Sequence, residues 1–161
     1  MTLEKSTEAH ISYYVGIDPG ATGALAVISD FSEEVYPFKD TTEQELADII
    51  VKACSRENTT VFLEKVASMP GNAANAMFTF GRGYGFLRGV MVANKIAFFD
   101  VPPQTWQNTL KLKTEKTRRM TKAQRKTSYL EKAKQWYPNA SVKRDTADAL
   151  LIAHYAYVGG K

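Results

Sequence analysis

The stretch VGIDPGATGALAVIS, residues 15–29, decides how the whole chain is read. Two apolar runs flank a short turn, and the first run ends on a carboxylate, Asp18. Tyr13, Tyr14, Val15 and Ile17 suit a pleated, buried surface, so residues 12–18 are expected to form a strand. PGATG reads as a turn in which Gly20 and Gly23 tolerate positive φ. Residues 24–29 and 34–38 are expected to be the second and third strands. The short connections between the three imply an antiparallel meander.

Further along, helices and strands alternate. Thr42 followed by Glu45 is a capping box, and Leu46, Ile49, Ile50 and Ala53 continue at helical spacing to about residue 56. Residues 60–64, TVFLE, predict a short apolar strand that again ends on an acid, Glu64. After a Pro-Gly-Asn loop a long helix is expected over 73–94, a fifth strand over 96–101 and a short helix over 104–110. Residues 111–120 read as a polar, basic loop. Thr121 with Gln124 caps another helix, ended by Pro138, and the last helix is expected over 145–158. A three-stranded meander followed by alternating elements predicts a single α/β domain, residues 12–158, with a mixed five-stranded sheet and helices on its faces. Residues 1–11 read as a frayed tail.

Composition narrows the classes. No apolar run approaches the roughly 18 residues of a membrane span. The first ten residues lack a signal core and carry two acids, so an intracellular, cytoplasmic setting is expected, in a bacterial or phage-infected cell. Cys54 is the only cysteine, which leaves no disulfide framework or thiolate metal cluster. Charge is unevenly spread. Residues 111–144 hold twelve Lys or Arg against two acids, Glu115 and Glu131, and the remainder holds nine basic residues against fifteen acids. A basic segment on an acidic body is the footprint of a polyanion partner, although a solvated helix face would have the same composition.

Four acids stand out: Asp18 and Glu64 at strand ends, and Asp145 and Asp148 in RDTADALLIAHYA. Spacing of i,i+3 puts the last two on one helix face, at a start that favours negative charge by roughly 0.3–1 kcal/mol each. Singly, each has a plain reading: Asp145 as an N-cap, Asp148 as a dipole partner, Glu64 as a solvated strand end, Asp18 as an Asx-turn residue. If the first and fourth strands are neighbours, the acids form a cluster. Two charges about 4 Å apart repel by about 4 kcal/mol at an effective dielectric near 20, so such a cluster calls for hard divalent cations.

GIDPGATGALAVI, VFLEK and DTADALLIA together resemble the RuvC-like Holliday junction resolvases of the RNase H-like superfamily, over nearly the whole chain. The resemblance implies a sheet with three antiparallel strands first and helices on both faces. It implies a homodimer that makes paired cuts in a four-way DNA junction, leaving 5′-phosphate ends. It implies Mg²⁺, with Mn²⁺ as a substitute, two ions per active site held by Asp18, Glu64, Asp145 and Asp148. Lys122 matches a lysine near the scissile phosphate and is expected to be catalytic. Lys111, Lys113, Lys116, Arg118, Arg119 and Arg125 are expected to bind DNA. Two positions depart from the pattern: Ala67 stands where an aromatic wedge is frequent, with Met69 the nearest bulky side chain, and Gln107 stands where a base is frequent.

The long helix carries Gly81, Gly85 and Gly89 on one face, suited to close packing on the sheet or on a partner helix. Phe78, Phe80 and Tyr84 are expected to reach a dimer interface, and Arg82 and Arg88 to meet DNA or a partner acid. His154, Trp106 and Cys54 read as packing residues. Rival readings are an actin-like sugar kinase loop at Asp18, Gly20, Thr22 and Gly23, a catalytically silent junction-binding module, and an RNase H-like nuclease for flaps or RNA–DNA hybrids. The kinase would need two subdomains and a longer chain.

Overall fold

Five strands form one mixed sheet in the computed structural model, which describes residues 10–65 and 73–160. The strands are β1 (Tyr13–Asp18), β2 (Ala24–Ile28), β3 (Glu33–Pro37), β4 (Thr59–Glu64) and β5 (Phe99–Val101). The helices are α1 (Glu43–Cys54), α2 (Ala74–Ala93), α3 (Pro103–Thr109), α4 (Glu115–Arg118), α5 (Lys122–Trp136) and α6 (Ala147–Tyr157). The strand order is β3-β2-β1-β4-β5. β1–β2 and β2–β3 are antiparallel, as the short turns require, whereas β1–β4 and β4–β5 are parallel and connected through helices.

Side-chain alternation sorts the sheet into two cores. Val15, Ile17, Leu25, Val27, Val61 and Leu63 point to one face, where Ile50 and Ala53 of α1 and Leu87 and Met91 of α2 complete a cluster. Ala24, Ala26, Ile28 and Phe62 point to the other, beneath α6, with Trp106 of α3 and Tyr129 and Ala133 of α5 around them. The helices therefore cover both faces, as expected. α6 is buried from Ala147 to Ala153, because it lies between the sheet and α3 and α5.

The floor beneath α6 is made of very small residues. Gly16 pairs with Ala26 across the β1–β2 ladder, and Ala24 pairs with Asp18. A Cβ on Gly16 would overlap the backbone of Ala149 and Ala153, so the missing side chain is what lets α6 rest on β1. In the following turn Gly23 is required for a related reason: its Cβ would overlap the Asp18 carbonyl, and its N–H donates to Gly20 O at 2.8 Å. Gly20 and Gly23 do not use the positive φ that glycine tolerates. Among the described residues Gly159 is the glycine in that region, so crowding, not handedness, selects Gly23.

Other expectations shift as well. The 111–120 loop contains a helical turn, α4, because Thr114 and Thr117 form a reciprocal cap. β5 is confined to three residues, with Ile96 outside it. The last helix starts at Ala147, since Thr146 Oγ1 accepts from Lys143 N–H and donates to Lys143 O, closing a turn ahead of it. Among the described residues nothing lies against Gly81, Gly85 or Gly89, and α2 packs instead through Leu87 and Met91.

His154 does pack. It stacks on Trp136 with centroids 4.3 Å apart and shares a hydrogen bond with the Tyr137 hydroxyl, and burial lowers its pKa. Cys54 is buried, and burial pushes its thiol up to about 12, which leaves it unreactive. Among the described residues no helix is long and apolar enough to cross a membrane. The first nine residues of the expected tail, and Ala67 and Met69, lie outside the described residues.

The packing gives a paired prediction. Gly16→Ala should cost about 3 kcal/mol or more in urea unfolding, since backbone must move to admit the methyl group. Gly81→Ala, into open space, should be neutral or stabilise by up to about 1 kcal/mol. Equal effects at the two sites would contradict the close approach of α6.

Candidate active site

The parity that puts Gly16 under α6 also aims Asp18 and Glu64 at that helix, two residues further on from Gly16 and Phe62 respectively. Because β1 and β4 are parallel, with Ile17 opposite Leu63, both strands end at the same edge. Asp18 and Glu64 leave that edge side by side. α6 brings Asp148 to them in its first turn. A protein can hold three carboxylates this way only with a rigid floor, and the floor here is two buried strands and a buried helix.

Each acid is fixed by a different contact. Asp18 Oδ1 accepts from Gly20 N–H at 3.1 Å, the Asx turn that the sequence allowed. Glu64 Oε1 accepts from the indole N–H of Trp106 at 3.0 Å. Asp148 is buried, its Oδ2 paired with the Lys126 ammonium and its Oδ1 without any hydrogen-bond partner among the described residues. An orphaned carboxylate oxygen in a buried place is costly, by about 1–3 kcal/mol, unless something else meets it.

Crowding is visible in the titration. Burial first, and then the charge of Asp148, hold the Asp18 carboxyl above the usual range, with the Gly20 N–H opposing. Burial and the charge of Asp18 push Glu64 up to about 8, against the Trp106 hydrogen bond. Without an ion, Glu64 therefore keeps its proton to a higher pH than an ordinary carboxyl does. Burial alone would lower Lys126, but Asp148, Asp18 and Glu64 outweigh it and hold the ammonium above its ordinary value.

Asp145 is not the equal of the other three. It lies in the turn before α6 and is exposed, although its charge still acts on Asp18. The helix begins two residues after Asp145, so the pair expected within one helix is split between the preceding turn and the helix's first turn. Among the described residues no three His, Cys, Asp or Glu side chains are placed, as they stand, to grip one ion. The carboxylates are gathered but not closed, and Lys126 stands among them.

Beside Asp148 and Lys126 opens a cavity of about 500 Å³. Lys113, Arg118, Lys122 and Arg125 line it, together with Gln104, Gln107 and Asn108. Lys111, Lys116 and Arg119, also expected to bind DNA, do not line it; Lys116 borders a second depression with Arg144. Lys122, the expected catalytic lysine, is the first residue of α5 and is exposed, one turn before Lys126. The sequence reading missed Lys126, which carries no motif; only its i+4 spacing from Lys122 puts it on the same face of α5. It also took Trp106 for core alone, whereas Trp106 is fully buried and orients Glu64 as well.

On α2, Phe78 is 75% exposed, while Tyr84 is tied within the chain by donating to Asp100 at 2.9 Å. Phe80 is half-buried. Arg82 and Arg88 meet acids of their own chain, Glu43 and Asp100.

No family model matches the chain, and no curated protein matches it in sequence. Solved structures do. The chain is similar to Thermus thermophilus RuvC in complex with a Holliday junction substrate, at 16% identity and a TM-score of 0.62, over 92% of this chain and 96% of that one. It is also similar to a second Thermus thermophilus RuvC structure, at 17% identity and a TM-score of 0.57, over 91% and 96% of the two chains. The fold is thus that of the RuvC structures, five-stranded and RNase H-like, as the sequence motifs implied.

Glu64 supplies a signed test. Its folded pKa lies above the unfolded value of 4.5, so its contribution to stability is complete below pH 4.5 and is lost as pH rises toward 8. In EDTA, the melting temperature should fall between pH 6 and 8.5, and Glu64→Gln should flatten that fall. At pH 8.5 the variant should melt higher by several degrees, at about 2–4 °C per kcal/mol. An equal or lower melting temperature for the variant would contradict the crowded, proton-sharing edge.

Proposed function

We propose that the chain is a structure-selective endodeoxyribonuclease that cuts four-way DNA junctions by divalent-cation-dependent phosphodiester hydrolysis, acting as a homodimer. One observation carries the reading. Parallel strands β1 and β4 deliver Asp18 and Glu64 to one edge against Asp148 of α6, beside a basic cavity, in a fold shared with a protein solved on a Holliday junction.

The donor set fits Mg²⁺ or Mn²⁺. All the candidate ligands are hard carboxylate oxygens, and the buried Oδ1 of Asp148 lacks any other partner among the described residues. Asp18, Glu64 and Asp148 would hold the ions, with Asp145 joining from the flanking turn. Two ions bound there would activate a water and stabilise the leaving oxygen of the phosphodiester.

The chain's own residues do the rest. Glu64 would serve as a ligand in its deprotonated form, and the Trp106 indole N–H holds its carboxyl group in place. Lys113, Arg118, Lys122 and Arg125 give the cavity a positive wall that suits a DNA backbone. Lys122 supports the charge that develops on the cleaved phosphate. Gln107 on the same wall supplies hydrogen bonds but no charge, so Lys122 carries more of that task. Lys111, Lys116 and Arg119 serve as outlying contacts to the DNA arms. Phe78 and the open glycine face of α2 suit a second copy of the chain, which paired cuts need.

The test is cleavage of a synthetic immobile four-way junction with Mg²⁺ or Mn²⁺, beside a flap and an RNA–DNA hybrid as competitors. The wild-type chain should nick opposed strands of the junction. Asp18→Asn should slow cutting by at least about 100-fold and leave junction binding largely intact. Preference for the flap or the hybrid would move the reading to another RNase H-like nuclease. No cutting of any substrate would overturn it.

A further inference from the structure

Lys126 is the cation nearest the carboxylate edge, and what it does there is a separate matter from holding DNA. Its ammonium pairs with Asp148, and its charge also acts on Asp18 and Glu64. The other two acids are each held by a rigid neutral donor, the Gly20 N–H and the Trp106 indole. Asp148 alone is held by a charge, carried on a flexible stem. Among the described residues the ammonium hydrogen-bonds to Asp148 and to nothing else, and the Lys126 side chain is 35% exposed against 12% for Asp148.

We propose that Lys126 is a built-in counter-ion of the centre: its ammonium takes the cation's place against Asp148 in the ion-free chain and is displaced when a divalent ion enters. The proposal rests on the reading of this edge as a metal centre. Three considerations carry it. First, Asp148 has one oxygen occupied by Lys126 and the other buried without a partner among the described residues, so no ion can use the carboxylate as a whole until the ammonium leaves. Second, an ammonium and a divalent ion against one carboxylate repel each other about twice as strongly as two single charges at the same distance, so an arriving ion weakens the hold of Lys126 on Asp148. Third, Lys126 has somewhere to go. Its four-carbon stem is flexible, and it already lines the cavity with Lys122 and Arg125, where a phosphate would receive it. The device keeps a crowded acidic edge folded when no ion is bound. It also makes ion entry and the arming of a phosphate-binding lysine a single event.

Calcium or magnesium titrated into the full chain by calorimetry, without DNA, tests this apart from turnover. Lys126→Met, which keeps the stem and removes the charge, should bind Ca²⁺ about tenfold or more tightly than wild type. Lys126→Arg, which keeps the charge, should not tighten binding. In EDTA the Met variant should melt below wild type, and saturating Ca²⁺ should narrow the gap. Wild-type binding with an unchanged or weaker affinity in Lys126→Met would overturn the counter-ion role and leave the metal centre standing. Absence of binding in wild type and in both variants would overturn the metal centre and the counter-ion together.

Discussion

The structure depends on how closely α6 lies on β1. Gly16 lacks the methyl group that would strike the backbone of Ala149 and Ala153, and its partner across the β1–β2 ladder is Ala26. A side chain there would lift the helix. Asp148, in the first turn of that helix, would then leave the edge where Asp18 and Glu64 end. Packing and chemistry are thus one constraint: the small-residue floor that makes the core compact is also what sets the third carboxylate against the first two.

That edge is electrostatically expensive, and the chain offsets the cost without any bound ion. One ammonium, the raised proton affinity of Glu64 and two neutral N–H donors share the work. The ammonium and the proton could each give way to an ion without any movement of the backbone. The basic wall of the adjoining cavity has the opposite sign, so negative and positive surfaces meet along one line. Such a boundary suits a ligand that is itself a polyanion and brings cations with it.

Much of this was legible in the sequence, for identifiable reasons. The meander followed from short turns, and the strand-end acids from apolar runs that each stop on a carboxylate. The adjacency of β1 and β4 was a condition and not a deduction, because nothing local to either strand specifies a parallel neighbour. What stayed hidden is tertiary. Lys126 belongs to no motif and matters only because α5 lies beside α6. Trp106 looked like core, and is core, but its one polar atom points at Glu64. The start of α6 was misplaced by two residues because Thr146 bonds back to Lys143, a turn that competes with a cap at Asp145. The glycines of α2 were read as a packing face, yet Leu87 and Met91 supply the contact, and spacing alone does not say which face a helix turns inward.

The central claim is that Asp18, Glu64 and Asp148 converge on a place for divalent ions. The most direct measurement is a crystal structure grown in Mn²⁺, with anomalous scattering used to locate the metal. The account predicts an anomalous peak within about 2.5 Å of oxygens from Asp18 and Asp148, with Glu64 turned to the same centre and the Lys126 ammonium withdrawn. A fully occupied Mn²⁺ elsewhere on the molecule, with Lys126 still paired to Asp148 and no peak at this edge, would contradict it.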